Sequence, residues 1–150
     1  MRTFEAVYEL VRGQKGVLLI GGDFNSPQAE TREGDHITWG QRIRPDGSVV
    51  FASARGEEWH QHEWNLLKGT QLEGLLVDSY RTVHGYETSE GSWHAPKSHT
   101  PRRYDSQLGT PVLNPIQAQY HQEFRTTGLS DHAPIEVTYQ PLAGWQKQAA

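Results

Sequence analysis

The sequence contains no cysteine, and that absence excludes two classes of protein. Disulfide-stapled secreted modules and thiolate metal sites both need cysteine, so the core must form without cross-links. Long hydrophobic runs are also missing, because the longest, at 17–20, falls far short of the roughly 20 residues that span a bilayer. We therefore expect a soluble chain without a membrane span, and its first residues show no signal peptide. Its compartment stays open.

The chain is short, and its charge is nearly balanced. A length of 150 residues predicts one domain. With 14 basic and 18 acidic residues, the net charge of −4 does not favour non-specific electrostatic binding of nucleic acid. Phosphate substrates stay possible, because a metal in an acidic cleft binds phosphate whatever the net charge. The mean hydropathy of −0.74 predicts a small core, or one that is completed by a partner.

The beginning of the chain predicts a helix, a turn and a strand. Apolar residues recur with helical spacing from Phe4 to Val11, with Thr3 as N-cap and Gly13 at the helix end. The apolar run 17–20 predicts a strand that is buried on both faces. Polar residues follow that strand, at the edge of an α/β sheet where ligands tend to bind.

The middle of the chain predicts a hairpin or a long loop, followed by a helix. Residues 37–39 and 49–51 have the composition of strands, and the segment 44–48 between them is a strong turn signal. From Glu57 to Gly69 the sequence is acidic at its start and basic with glycine at its end, as a helix prefers.

Further elements are predicted nearer the carboxyl end. A short helix should have Asp78 as N-cap and end before Gly85, and a long surface loop should cover 85–100. Apolar and polar residues alternate over 135–139, as in a half-buried strand. Residues 144–150 have the composition of a frayed tail.

Three short segments carry the residue types that phosphate-ester cleavage requires. They are Gly22–Asn25 after the first strand, Arg103–Asp105, and Ser130–His132 before the last strand. Such cleavage needs a divalent cation with oxygen ligands, an oriented water, and donors for the charge that develops on phosphate oxygens. Asp and Asn are also common turn formers, so no single segment is specific by itself.

Taken together and in this order, the three segments resemble the endonuclease/exonuclease/phosphatase superfamily. The stretch 74–81, His84 and Ser92–Trp93 also look like that family. The resemblance runs from Val17 to Tyr139 and corresponds to the second half of the family domain. It implies an α/β fold: part of a four-layer α/β-sandwich, with a mixed, largely antiparallel sheet and covering helices.

The resemblance also implies a role for each of five residues. The family aspartate that matches Asp23 positions or deprotonates the attacking water, and the asparagine that matches Asn25 contacts the scissile phosphate. The aspartate that matches Asp131 helps hold the metal, Mg²⁺ or Mn²⁺. The histidine that matches His132 contacts the phosphate, and the carboxylate that matches Asp105 orients it.

On this basis we expect a metal-dependent phosphodiesterase or phosphatase, with residues 1–143 forming part of the family domain and 144–150 a tail. The family's earlier asparagine and its main metal-binding glutamate have no counterpart here. We therefore expect the 150 residues alone to bind Mg²⁺ weakly, to have little or no activity, and to self-associate through uncovered apolar strands.

The residues are also compatible with two other functions. The chain is a non-catalytic truncated remnant or binding module of the same fold, or a nucleic-acid-binding domain that does not hydrolyse its ligand. The substrate also stays open among nucleic acid, phospholipid and small phosphoesters. Two polar sets have structural explanations: Arg103 as an ion-pair partner, and Asp78, Arg81 and His84 as a helix cap followed by solvent-facing side chains.

Overall fold

The computed structural model describes residues 2–88 and 90–143, which form a mixed α/β fold with antiparallel strand pairs. Its helices are α1 (Arg2–Gly13), α2 (Gly56–Trp64), α3 (Thr70–Leu72), α4 (Ser79–His84) and α5 (Glu123–Thr126), with a π-helical turn at Asn65–Gly69 and a 3₁₀ turn at Pro111–Leu113. Its strands are β1 (Leu19–Asp23), β2 (Ala29–Glu30), β3 (His36–Ile37), β4 (Gln41–Ile43), β5 (Val49–Phe51), β6 (Val77–Asp78), β7 (Trp93–His94), β8 (Pro101–Arg102), β9 (Asp105–Gly109), β10 (Pro115–Tyr120) and β11 (Ile135–Tyr139).

A three-stranded sheet in the order β1-β9-β6 organises the molecule. Strand β9 lies in the centre and pairs antiparallel with both neighbours, so β1 and β6 run parallel to each other. A second antiparallel pair, β10–β11, lies next to β9, where the Gln107 side chain donates a hydrogen bond to the Ile135 carbonyl at 3.4 Å. The centre of the fold is therefore β9, which is the strand that begins at Asp105.

Helix α1 confirms the amphipathic helix predicted for the beginning of the chain. Its apolar face packs on a core that contains Val11, Leu66 and Leu108. The cap prediction is wrong, because the helix already includes Arg2, and Thr3 lies inside its first turn. Among the described residues, no helix is long and apolar enough to cross a membrane.

Strand β1 differs from its prediction in burial. The side chain of Leu19 is 47% exposed and Val17 precedes the strand in an exposed position, so β1 is not buried on both faces. The reason is tertiary. In the described part of the chain β1 pairs with β9 alone, and Ile20 is the strand residue that packs against the core.

The hairpin is confirmed in its turn and second strand but not in its first strand. Strands β4 and β5 pair across the 44–48 turn, where the Arg44 amide donates to the Ser48 carbonyl at 2.8 Å. Ile37 instead belongs to β3 and pairs with Ala29 of β2. A glycine allows the hairpin to approach α2: a Cβ on Gly40 would lie 2.2 Å from the carbonyl oxygen of Gly56.

The two predicted helices in the middle of the chain are both present. The longer one is divided into α2, the π-helical turn and α3. The shorter one, α4, has the predicted ends: the Asp78 side chain accepts a hydrogen bond from the Arg81 amide at 3.0 Å, and Gly85 follows with a φ of 66°. A left-handed φ at the residue after a helix is the position where glycine is favoured.

The carboxyl-terminal region is partly as predicted. Strand β11 shows the expected alternation of half-buried and exposed residues. The 85–100 segment is more ordered than a surface loop, since it contains β7, which pairs with β8, and the fully buried Ser92. The 144–150 tail lies outside the described residues.

Candidate active site

Two carboxylates lie side by side at one end of the β1–β9 pair. Asp23 is the last residue of β1, Asp105 is the first residue of β9, and the antiparallel register makes them direct partners. The Asp23 side chain is exposed, whereas the Asp105 side chain is 19% exposed. The pairing of β1 with β9 therefore places one carboxylate in solvent and a second, more sheltered one beside it.

The imidazole of His132 is hydrogen-bonded to the sheltered carboxylate. Its Nδ1 lies 2.6 Å from Oδ2 of Asp105, and its side chain is 24% exposed. The loop before β11 is held in place by the Ser130 hydroxyl, which accepts a hydrogen bond from the His132 amide at 3.0 Å. The next residue, Ala133, is fully buried. The arrangement fixes the ring and leaves Nε2 as its second polar atom.

This pairing changes the titration of His132. Partial burial lowers the pKa of the imidazole, but the hydrogen bond and negative charge of Asp105 outweigh it, and the pKa is raised above its usual value. Asp23 and Asp131 raise the pKa further by their charges. A raised pKa favours the imidazolium, which carries a donor on both ring nitrogens and suits contact with a phosphate oxygen.

A buried hydroxyl sets the position of Asp105. The side chain of Ser92 accepts hydrogen bonds from the backbone amides of Tyr104, at 3.1 Å, and Asp105, at 2.9 Å. The Ser92 carbonyl also accepts from the Ala133 amide at 2.7 Å. One residue thus connects the segments that carry Asp105 and His132, a role that the sequence pattern did not indicate.

Asn25 adopts a left-handed backbone conformation beside Asp23. Its φ is 51°, a region that non-glycine residues seldom occupy and that asparagine tolerates better than most. The two oxygens of Asp23 accept hydrogen bonds from the Asn25 amide at 2.8 Å and from its side-chain Nδ2 at 3.1 Å. The second hydrogen of Nδ2 stays available to a ligand.

One set of three donor atoms lies close enough together to share a cation, and it comes from Asp23, Asp105 and His132. One potential ligand atom from each lies within 4.8 Å of the others. Asp131, the residue predicted to hold the metal, is exposed and is not a member of this set, although its charge acts on the adjacent His132. Carboxylate oxygens of this kind are the ligands that Mg²⁺ accepts, usually one or two together with water.

Arg103, two residues before Asp105, is a structural residue. Its guanidinium is buried, donates to Glu30 at 2.8 and 3.0 Å, and also contacts the Asp78 carboxylate. Burial lowers the pKa of Arg103, but the two carboxylates outweigh it and raise the pKa well above its usual value. The ion-pair explanation of Arg103 is confirmed.

Arg81 belongs to the same buried network, which corrects the expectation that it faces solvent. Its guanidinium donates to Glu30 at 2.7 Å and to the Gly85 carbonyl at 2.9 Å. Helical spacing identified Asp78 as a cap but contained no information on Glu30, the distant carboxylate that draws Arg81 inward. Buried charges of this kind are retained in pairs, because an unpaired one is costly.

Comparison with known proteins shows a likeness in fold to a solved structure. No family model matches the chain, and no curated protein matches it. Among solved structures, the chain is similar to the 3′ phosphatase NExo from Neisseria bound to a product DNA hairpin, with a TM-score of 0.59 and 24% identity. The match covers 93% of this chain and 52% of that one, so the chain spans about half the length of the structure. The described residues therefore have the fold of that phosphatase over the matched part.

Proposed function

We propose that this chain carries the active-site edge of a divalent-metal-dependent phosphate-ester hydrolase. The observation that carries the proposal is the His132–Asp105 hydrogen bond of 2.6 Å, next to Asp23 on the paired strand. An imidazole with a fixed partner beside an exposed carboxylate provides both a phosphate contact and a group that orients water. The similarity in fold to a DNA 3′ phosphatase supports this reaction class.

Each residue has a distinct task in this proposal. Asp23, the exposed carboxylate, orients or deprotonates the attacking water. Asn25 donates its second Nδ2 hydrogen to the scissile phosphate, and the His132 imidazolium donates to a phosphate oxygen on which charge develops. Asp105 acts through His132, because it fixes the ring and stabilises its protonated form.

Asp131 is the residue that we propose for Mg²⁺ or Mn²⁺, with water completing the shell. It is exposed next to His132, and its carboxylate is not used by the Asp105–His132 pair. A bound cation would polarise a phosphoryl oxygen and offset its negative charge. Asp131 by itself offers one anionic ligand, so we expect weak binding of the cation by the 150 residues.

We further propose that the described residues form one half of a four-layer α/β-sandwich. The exposed face at Leu19 on β1 and the match to about half of a longer phosphatase both support this arrangement. In it, helix α1 and the π-helical turn would cover one face of the β1-β9-β6 sheet.

The function is tested with two phosphorylated substrates under single-turnover conditions. The purified 150-residue chain is mixed in excess with a DNA hairpin that carries a 3′ phosphate, or with a generic phosphodiester, in Mg²⁺, Mn²⁺ or chelator. We expect slow, metal-stimulated cleavage that is lost in Asp23→Asn and His132→Ala. Glu33→Gln, in an exposed position on the turn between β2 and β3, is the control and should cleave at the wild-type rate.

The same experiment tests the alternative that the chain is a non-catalytic module. Absence of cleavage with both metals and both substrates agrees with the little or no activity expected of these 150 residues alone, so hairpin binding then decides, and binding that is weakened in Asp23→Asn and His132→Ala supports the hydrolase proposal. If the hairpin is nevertheless bound, and is bound equally by the wild-type chain and the two variants, the binding module is favoured.

A further inference from the structure

A buried carboxylate lies behind the segment that carries Asn25. Glu63 of α2 is 2% exposed, and it forms no ion pair within residues 2–88 and 90–143. Its Oε2 accepts two hydrogen bonds, from the hydroxyl of the buried Ser26 and from the backbone amide of Trp39 at 3.1 Å. The proposed reaction gives this residue no role.

Packing alone does not account for a carboxylate at this place. Burial of a charge costs free energy unless hydrogen bonds compensate, and a neutral side chain of similar size would fill the same volume. A carboxylate oxygen does add one property, since it accepts two charge-assisted hydrogen bonds that are stronger than neutral ones. Glu63 uses that property to hold two backbone segments, at Ser26 and Trp39, against α2.

Trp39 extends this contact to the candidate active site. Its side-chain Nε1 donates to the Asn25 carbonyl at 2.7 Å. The guanidinium carbon of Arg102 lies 4.9 Å from the centre of the Trp39 ring, within the range of a cation–π contact. The ring itself is 41% exposed, so these contacts, rather than burial, determine its orientation.

Asn25 is thus held on both sides of its strained backbone. Asp23 accepts hydrogen bonds from the amide and the side chain of Asn25. These contacts fix the part of the backbone that precedes the Asn25 Cα. Trp39 fixes the carbonyl that follows it, and Glu63 holds the next residue, Ser26. The contact with Asp23 alone would leave the carbonyl free to rotate, because rotation about ψ does not disturb the amide.

We propose that Glu63 and Trp39 are positioning residues that hold Asn25 in the conformation that presents its amide to the scissile phosphate. Neither residue touches the substrate. The catalytic consequence rests on the function proposed above, whereas the conformational consequence concerns the protein alone.

The first test measures conformation by NMR. Two observables that depend on ψ of Asn25 are compared between the wild-type chain and Trp39→Phe, which removes the Nε1 donor but keeps a ring: the nuclear Overhauser effect between the α proton of Asn25 and the amide proton of Ser26, and the Cα chemical shift of Asn25. We expect the left-handed signature to be lost or averaged in Trp39→Phe, and a smaller change in Glu63→Gln. The matched controls are Trp59→Phe, in an exposed position on α2, and Glu57→Gln on the same helix; both should match wild type.

The second test measures single-turnover cleavage of the phosphorylated hairpin by the same variants. A misplacement of about 1 Å costs up to about a hundredfold in rate. We expect Trp39→Phe to lower the cleavage rate by about tenfold or more, with substrate binding changed much less, and the controls to retain the wild-type rate.

The outcomes separate the two proposals. If Asn25 keeps its left-handed conformation in Trp39→Phe and Glu63→Gln, the positioning proposal is overturned, whatever the activity. If the conformation changes in these variants but wild type cleaves neither substrate, the positioning role stands, and hairpin binding that is equal in wild type, Asp23→Asn and His132→Ala then contradicts the hydrolase proposal. If the conformation changes while the cleavage rate does not, the catalytic consequence is refuted.

Discussion

His132 and Asp105 are joined by a hydrogen bond of 2.6 Å between segments that are 27 positions apart in the sequence. The contact needs β9 to present the carboxylate and the loop before β11 to present the ring. It is therefore a product of the tertiary fold, and its strength can be measured by titration.

The first prediction concerns the pKa of His132. Because Asp105 stabilises the imidazolium, Asp105→Asn should lower the midpoint of the His132 titration from its raised value. The pair stabilises the fold fully below the unfolded value of about 6.5, and that stabilisation is lost as pH rises through the higher folded pKa. An NMR titration of the imidazole checks the shift. Asp35→Asn serves as the control, and a midpoint that is the same in both variants contradicts the coupling.

The second prediction concerns the buried ion pairs. Arg103→Met leaves the carboxylates of Glu30 and Asp78 buried without their main cation, and we expect a loss of about 3–5 kcal/mol in the free energy of unfolding. Urea denaturation measures it. The exposed Arg42→Met is the control and should change stability by less than about 0.5 kcal/mol.

The same network predicts how stability depends on acid. Burial raises the pKa of Glu30, but the charge of Arg103, the neighbouring His36 imidazole and the hydrogen bonds from Arg103 and Arg81 outweigh it, and the pKa is well below its usual value. The resulting stabilisation is present above the unfolded value of about 4.5 and is lost as pH falls through the folded pKa. Thermal unfolding between neutral and acidic pH should show this loss in wild type. Arg103→Met should lose less stability over the same pH range. An equal dependence of stability on pH in the variant and the wild type would contradict the role of the Glu30–Arg103 pair.

The third prediction concerns the contact between the hairpin and α2. A Cβ on Gly40 would lie 2.2 Å from the Gly56 carbonyl oxygen and 2.4 Å from the His60 amide nitrogen, so Gly40→Ala must displace backbone. We expect the free energy of unfolding to fall by about 1–3 kcal/mol, by analogy with overpacked cores. Gly13→Ala, where a Cβ meets nothing within 4 Å, is the control in the same denaturation experiment. Equal stability of the two variants would show that the hairpin moves freely.

The fourth prediction concerns the exposed apolar surface of β1. Self-association through that strand should be reduced by Leu19→Lys, which places a charge on a side chain that is 47% exposed. Analytical ultracentrifugation over a range of concentrations measures the change. Leu72→Lys adds the same charge to α3 and should leave association as in wild type. A monomeric wild-type chain at all concentrations would contradict the prediction.

Elements with local signals could be predicted from the sequence. The ends of α4 follow from Asp78, whose short side chain caps the helix, and from Gly85, which takes a left-handed conformation at little cost. The alternation in β11 identifies its half-buried face for a similar reason, because side chains on a strand point to opposite faces in turn.

Features that depend on distant partners could not be predicted in this way. An apolar run indicates that β1 is a strand, but its burial depends on what covers it, and Leu19 stays exposed. Glu63 resembles any polar residue of a surface helix, since its partners Ser26 and Trp39 lie 37 and 24 positions earlier, in two different segments. Asp23 and His132 could be named with their roles from the resemblance, whereas Ser92 was noted as similar to the family without any indication that its hydroxyl positions Asp105.

The central position of β9 determines when the residues of the candidate site are brought together during folding. The amide of Thr110, just after β9, donates to the Leu18 carbonyl at 2.9 Å, which closes a loop of 92 positions. Pairings so distant in sequence form slowly, because chain entropy is lost before the contact compensates for it. During synthesis from the amino terminus, Asp23 is therefore a lone solvated carboxylate until most of the chain has been made. The candidate site is assembled only after the three-stranded sheet has formed and the segment that carries His132 has been made.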